Sequence, residues 1–176
     1  MTLDRVEFIE VLKDSYSAYY DIVTDTETDL PLAFRADYRN QDEHYWFTKS
    51  ARVWVNERNE FAYVFTAESF DRDLVERCFD FALADGLPRV RPHKDHQCTN
   101  IKVVFVADRL EEDVAKAVAR KNFTRNYKFG LYGFTNLLTG AVDLEKEKTV
   151  TNHVGHELVP YFKKLFAARS EKTGRN

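Results

Sequence analysis

The stretch Ile101-Lys102-Val103-Val104-Phe105-Val106-Ala107 is nearly continuously apolar and rich in β-branched residues. A strand with one face in water alternates apolar and polar residues, whereas a strand that is covered on both faces does not. This stretch therefore predicts a central strand of a sheet with helices packed on its faces.

Two amphipathic segments before this strand predict helices. Apolar residues at steps of three and four predict a first helix over about 4–23. A second helix is predicted from Ser69, a suitable N-cap, to Gly86, with Pro88 just beyond as a further stop signal.

Two more helices are predicted after the central strand. Asp108 and Glu111 have the spacing of a capping box and predict a helix that runs to about Lys121. Pro160 is tolerated only in a first helical turn, so the last helix is predicted to begin near it. Residues 153–156 are then expected to lie in a loop or a frayed turn.

The remaining apolar runs have the composition or the alternation of strands. Before the second helix they predict an antiparallel meander, and after the third helix a second one. The predicted strands are 32–39, 45–55 and 60–66, then 127–132, 137–144 and 148–151.

The predicted fold is α+β, with a mixed or mostly antiparallel sheet and the order α-β-β-β-α-β-α-β-β-(β)-α. The chain has 6 glycines and 4 prolines and lacks a segment with linker composition. We therefore expect one domain over residues 1–168, followed by a mobile basic tail over residues 169–176.

Composition excludes several classes of protein. The net charge of −3 argues against general nucleic-acid binding, which needs a basic surface. No apolar run reaches the roughly 18–20 residues of a membrane span, and the first residues lack a signal-peptide pattern. A cytoplasmic location is expected, with Cys78 and Cys98 as free thiols.

The charge is distributed unevenly along the chain. Residues 1–48 contain eleven acids and four bases, a net charge of −7, so the remaining residues carry +4. Together with the apparent exposure of Tyr20 and Tyr132, this asymmetry predicts weak or moderate homodimerisation. The leading hypothesis is accordingly a non-catalytic interaction or accessory protein without a cofactor.

The opening α-β-β-β-α-β order, over Asp4 to Ala107, resembles the core of the restriction-endonuclease-like nucleases. That resemblance implies a metal site with an acid on one strand and Glu-x-Lys or Asp-x-Lys on the next. None of the twelve lysines has an acid two positions before it, and Glu60 has no lysine beside it along the chain. The sequence therefore does not predict an active nuclease of this type.

Two His-x-x-His pairs are the candidate metal ligands. His93 and His96, followed by Cys98, form the first pair, and His153 and His156 form the second. Imidazole and thiolate are natural zinc ligands, and residues three apart can converge on one ion if the backbone turns between them. The alternative hypothesis is therefore a protein that binds zinc or another divalent metal, or a metal-dependent hydrolase.

A third hypothesis rests on aromatic residues in the first helix and the first meander. Tyr16, Tyr20, Trp46 and Trp54 are expected to line a pocket for a small apolar ligand. The chain lacks the glycine-rich phosphate loops and the Gly-x-Ser-x-Gly elbow, so nucleotide hydrolysis and α/β-hydrolase chemistry are not predicted.

Overall fold

Seven strands form one mixed sheet in the computed structural model, which describes residues 4–40 and 57–173. The strands are β1 (Asp21–Val23), β2 (Leu32–Asn40), β3 (Glu57–Ala67), β4 (His96–Ala107), β5 (Thr124–Asn126), β6 (Phe134–Asp143) and β7 (Lys148–Thr151). The helices are α1 (Arg5–Ser17), α2 (Arg72–Gly86), α3 (Glu112–Arg120) and α4 (Leu158–Thr173). The predicted α+β class and order of elements are confirmed.

β4 lies at the centre of the sheet. The strand order is β1-β2-β3-β4-β6-β5, with β7 also paired to β6. β4 is parallel to both of its neighbours, β3 and β6, whereas all other pairs are antiparallel. The predicted central strand is thus confirmed, although it begins earlier, at His96.

The two faces of β4 belong to separate hydrophobic cores. On one face, Phe105 packs in a core with Phe79 of α2, and α3 completes this layer. On the other face, Val104 packs in a core with Leu12 of α1 and Phe162 of α4. Successive strand residues point to opposite faces, so a continuous apolar strand fills both cores.

The first helix ends earlier than predicted. It ends at Ser17, whereas the apolar spacing extended it to Val23. Residues 21–23 instead pair with Asp37, Ala36 and Arg35 of β2 as an antiparallel edge strand. Sheet pairing has overridden the local helical periodicity.

Two predicted helix caps were wrong. Asp71, not Ser69, caps α2, and its Oδ1 accepts a hydrogen bond from the Leu74 backbone N–H at 2.7 Å. Asp108 does not cap α3, which begins one turn later; its carboxylate instead accepts a hydrogen bond from Arg5 Nε at 3.2 Å. A capping box identifies candidate oxygens, but tertiary partners decide which of them is used.

The second meander differs from its prediction at one place. Residues 127–133 form a loop between β5 and β6, not a strand, because Lys128 and Phe129 have positive φ angles. Strands 137–144 and 148–151 are observed as β6 and β7, and Pro160 lies in the first turn of α4. Helix α4 includes residues 169–173, and the predicted strand 45–55 lies outside the described residues.

Candidate functional site

A cavity of about 280 Å³ lies between the end of α1, the start of α4 and the centre of the sheet. Four of its eight lining residues are tyrosines, and two are charged. The lining residues are Ser15, Tyr16, Tyr19, Tyr20, Lys102, Glu157, Leu158 and Tyr161.

Lys102 provides the cation at the floor of this cavity. It lies on the central strand β4, in register with Ala62 of β3 and Leu138 of β6, and only 6% of its surface is exposed. Its side chain points to the same face as Val104, toward α1 and α4, because residues two apart share a face. The small side chain of Ala62 leaves room beside it.

Two carboxylates surround the Lys102 ammonium. Its Nζ donates a hydrogen bond to Oε1 of Glu60 on β3 at 2.5 Å, and lies 3.8 Å from Oε1 of Glu157. The Tyr20 hydroxyl donates to the same Glu60 oxygen at 2.5 Å. Lys102, Glu60 and Glu157 together carry a formal net charge of −1, so the floor of the cavity has no excess positive charge.

Tyr16, Tyr20 and Tyr161 of the cavity remain protonated at neutral pH. Burial raises the pKa of Tyr16 and of Tyr20, and the adjacent Glu60 carboxylate raises both further. Burial also raises the pKa of Tyr161, whose hydroxyl donates to Ser15 Oγ at 2.8 Å. These phenols therefore act as neutral walls and hydrogen-bond donors, not as bases.

Glu157 is held in place by the buried Asn152. The Asn152 side-chain oxygen accepts hydrogen bonds from the backbone N–H groups of Gly155 at 2.8 Å and Thr139 at 3.2 Å. Its amide nitrogen donates to the carbonyl oxygen of Leu137 at 2.8 Å. These bonds tie the short 3₁₀ turn Val154–Glu157 to β6, and this turn carries Glu157 to the mouth of the cavity.

Lys102 and Glu157 offer a hydrogen-bond donor and a hydrogen-bond acceptor side by side at the cavity. A lysine ammonium has three N–H donors, and the bond to Glu60 uses one of them. Glu157 supplies carboxylate oxygens 3.8 Å away. A bound group can therefore accept from Lys102 and donate to Glu157 at once.

Two of the four predicted pocket residues, Tyr16 and Tyr20, line this cavity, whereas Trp46 and Trp54 lie outside the described residues. Sequence reasoning missed Lys102, Glu60 and Glu157. Glu60 was expected to have no lysine beside it, and along the chain it has none; the parallel pairing of β3 with β4 brings Lys102 to it. The available signal was a lysine within an otherwise apolar central strand.

The first histidine pair has separate hydrogen-bond partners. His93 Nε2 lies 2.7 Å from Glu57 Oε2, and the two histidine rings are 6.2 Å apart. His96 is buried; its Nδ1 donates to the Tyr132 carbonyl oxygen at 2.8 Å, and its Nε2 bonds the Thr99 hydroxyl at 2.9 Å. Both ring nitrogens of His96 are thus occupied.

Cys98 lies on the other face of the sheet from the contact between His96 and Thr99, since adjacent strand residues alternate. Burial raises the pKa of the Cys98 thiol, and the Glu60 and Glu157 carboxylates raise it further against the opposing effect of Arg58. The thiol therefore faces the α1 and α4 side and remains protonated at neutral pH.

The second histidine pair lies at a shallow cavity formed with Thr151 and Asn152. Thr151 pairs with Gly140 of β6, whereas Cys98 pairs with Phe134, six positions earlier on β6 and about 20 Å away. Within residues 4–40 and 57–173, no group of three or more His, Cys, Asp or Glu side chains is arranged to hold a metal ion.

A second, half-buried polar cluster lies on the α2 face of the sheet. Arg35 and Arg89 each donate to Asp85 Oδ2 at 3.2 Å, and Arg89 also bonds Asp37. Tyr63 donates to Asp85 Oδ2 at 2.6 Å. Two arginines balance two aspartates, so this cluster is an internally paired network that joins β2, β3 and α2.

Comparison with models of protein families found a match over most of the chain. Residues 4–164 match the model of a family described as a domain of unknown function, DUF8052. A search of curated proteins and a search of solved structures found no match. No helix among the described residues combines the length and the apolar character needed to cross a bilayer.

Proposed function

The chain belongs to the DUF8052 family, whose description names no activity, and we propose from the geometry of the tyrosine cavity that the protein binds a small organic ligand there. The observation that carries this proposal is the buried Lys102 ammonium at the floor of a tyrosine-walled cavity. The ligand presents an oxygen acceptor to Lys102 and an apolar ring to the tyrosines.

Packing alone does not account for Lys102. Removing two charges from water costs several kcal/mol per ion, and a well-packed apolar pair is often as stable as a buried ion pair. Val104 and Val106, the next residues of β4 on the same face, are apolar and buried. A lysine at this position is therefore better explained by what its ammonium binds than by stability.

The charges at the floor favour a neutral polar group over a carboxylate. Lys102 is already balanced by Glu60, and a bound carboxylate would meet Glu157 as well. A carbonyl oxygen next to an N–H or O–H group satisfies both Lys102 and Glu157 without adding charge. Ligand pockets usually range from about 300 to 1,000 Å³, so a cavity of about 280 Å³ fits a single substituted ring.

The test is a comparison of benzamide, benzoate and N,N-dimethylbenzamide by ligand-observed NMR. Benzamide carries the acceptor and the donor, benzoate carries a charge, and the dimethyl compound lacks the donor. We expect benzamide to bind best. If none of the three binds, or if benzoate binds best, the proposed ligand chemistry is wrong.

The double variant Lys102→Met/Glu60→Gln removes the ammonium without leaving the buried Glu60 carboxylate unpaired, and benzamide binding should be lost. Lys121→Met/Glu76→Gln is the matched control, because Lys121 also bonds a glutamate at 2.5 Å but lies between α2 and α3. Binding that survives in the first variant, or that disappears equally in both, would contradict the proposal.

A further inference from the structure

The loop Tyr127–Gly133, termed here the aromatic loop, exposes two large apolar side chains. Phe129 is 104% exposed and Leu131 is 75% exposed. By contrast, Tyr20 and Tyr132, which the sequence suggested as exposed, are half-buried. The exposed apolar surface of this region is thus concentrated at the tip of one loop.

The aromatic loop has a defined backbone conformation. Phe129 has φ +57°, a left-handed conformation that is costly for a bulky residue. Within the loop, Gly130 N–H donates to the Tyr127 carbonyl at 3.0 Å and Leu131 N–H to the Lys128 carbonyl at 3.0 Å. A loop that holds apolar side chains in water on a strained backbone is organised for contact with a partner.

Buried contacts anchor the base of the loop. His96 Nδ1 donates to the Tyr132 carbonyl oxygen at 2.8 Å, so the buried histidine fixes the last part of the loop. Gly133 packs directly on the backbone of residues 96 and 97. The loop is therefore attached to the first residues of the central strand.

The chain segment that contains the aromatic loop is basic. No acid occurs from Val114 to Val142, a segment that includes five bases. Arg125 precedes the loop and is exposed, and the Lys128 ammonium lies 4.3 Å from the ring centroid of Tyr132. A partner for this loop needs an apolar surface among acids.

The outer face of α1 has this chemistry. Val6 and Val11 are 64% and 44% exposed, and the exposed acids Glu7, Glu10 and Asp14 lie on the same helical face. Exposed valines among carboxylates complement an exposed Phe and Leu among bases.

We infer that the aromatic loop of one copy of this chain docks on the outer face of α1 of a second copy. Each copy provides both surfaces, so two equivalent loop-to-helix contacts related by a two-fold axis close an isologous dimer. With only two apolar side chains at each loop tip, the association is weak and depends on salt.

Sedimentation velocity over a range of concentrations at low salt tests this inference. The mass should rise above the 20.6 kDa of the monomer as concentration increases. Phe129→Ser should weaken association by more than about tenfold, as expected for the loss of a central aromatic anchor. The matched control Val154→Ser, at an exposed apolar side chain outside both the aromatic loop and α1, should not.

Exchange of the acids of α1 with the bases at the aromatic loop distinguishes this interface from any other. Glu10→Lys/Asp14→Lys alone and Arg125→Glu/Lys128→Glu alone should each abolish association, because like charges would face each other. The variant that carries all four changes should associate again. A folded four-fold variant that stays monomeric would overturn the inference.

Two further results would also overturn it. One is a native chain that stays monomeric at all concentrations. The other is a monomer that sediments with phosphatidylcholine–phosphatidylserine vesicles through Phe129, which would assign the loop to a lipid surface.

Discussion

Lys102 and Glu60 lie on neighbouring parallel strands, and the Lys102 Nζ is 2.5 Å from the Glu60 Oε1. They are not directly opposite each other, since Glu60 pairs with Asn100 and Lys102 pairs with Ala62. The Lys102 side chain therefore extends toward the start of β4, by two residue positions, to reach the Glu60 carboxylate. Both side chains are largely buried, so removal of one partner leaves the other as an uncompensated buried charge.

Lys102→Met should lower the free energy of unfolding by about 3–5 kcal/mol, because it leaves the Glu60 carboxylate buried without a cation. Lys102→Met/Glu60→Gln should recover most of this loss, since Gln still accepts the Tyr20 hydrogen bond. Urea denaturation of both single variants and the double variant measures the coupling. Additive effects of the two changes would show that the residues are not coupled.

Asp71→Ala should destabilise the protein by about 1 kcal/mol, because α2 loses the oxygen that caps its first turn. Asp108→Ala is the matched control: it removes only a half-exposed ion pair with Arg5, and we expect a loss below about 1 kcal/mol. Thermal unfolding compares the two. A larger effect of Asp108→Ala would indicate that Asp108 caps α3.

Stability should depend on the Glu57 carboxylate in acid. Burial raises its pKa, but hydrogen bonds from Asn59 at 2.6 Å and His93 at 2.7 Å outweigh burial and lower the pKa below 4.5. Its contribution is therefore present above about pH 4.5 and is lost as the pH falls through the lower folded-state value.

Glu57→Gln should flatten the dependence of the unfolding free energy on pH below 4.5. The same change at Glu145, an exposed residue of the turn between β6 and β7, is the control. If the two variants have parallel pH profiles, Glu57 contributes nothing to acid sensitivity.

Gly133→Ala should cost more stability than Gly130→Ala, although both glycines have positive φ angles. A Cβ at Gly133 would lie 2.5 Å from the carbonyl oxygens of His96 and Gln97, whereas a Cβ at Gly130 meets nothing within 4 Å. We expect about 1–2 kcal/mol at Gly130, from backbone strain alone, and a larger loss at Gly133. Chemical denaturation of both variants checks the difference, and equal losses would mean that the backbone at residues 96–97 moves aside.

The local spacing of apolar residues predicted the strands and helices whose stability comes from burial. The apolar run 101–107 and the spacing in α2 were sufficient because a fully covered strand and an amphipathic helix need those residue types. The predicted helix boundaries were wrong where a partner distant in the chain determines the boundary. Residues 21–23 left the helix to pair with β2, and Asp108 bonded Arg5 instead of capping α3.

The candidate site was predicted only in part, for a related reason. Aromatic density indicated Tyr16 and Tyr20, whereas sequence motifs describe acids and lysines that lie close together along the chain. The charged group of the site is built across the sheet, from Glu60 of β3, Lys102 of β4 and Glu157 before α4. Such a group has no spacing in the sequence that a motif can describe.

Residue types alone thus determined the α+β class, the order of the elements and the doubly covered central strand, because burial follows from local periodicity and composition. The tertiary structure decided which polar groups meet. Glu60 and Lys102 are 42 positions apart in the sequence. Only the parallel pairing of β3 with β4 brings the Lys102 Nζ to 2.5 Å from the Glu60 Oε1. Hydrogen bonds and ion pairs act over a few ångströms, so their partners are set by strand order and register, which only the folded chain defines.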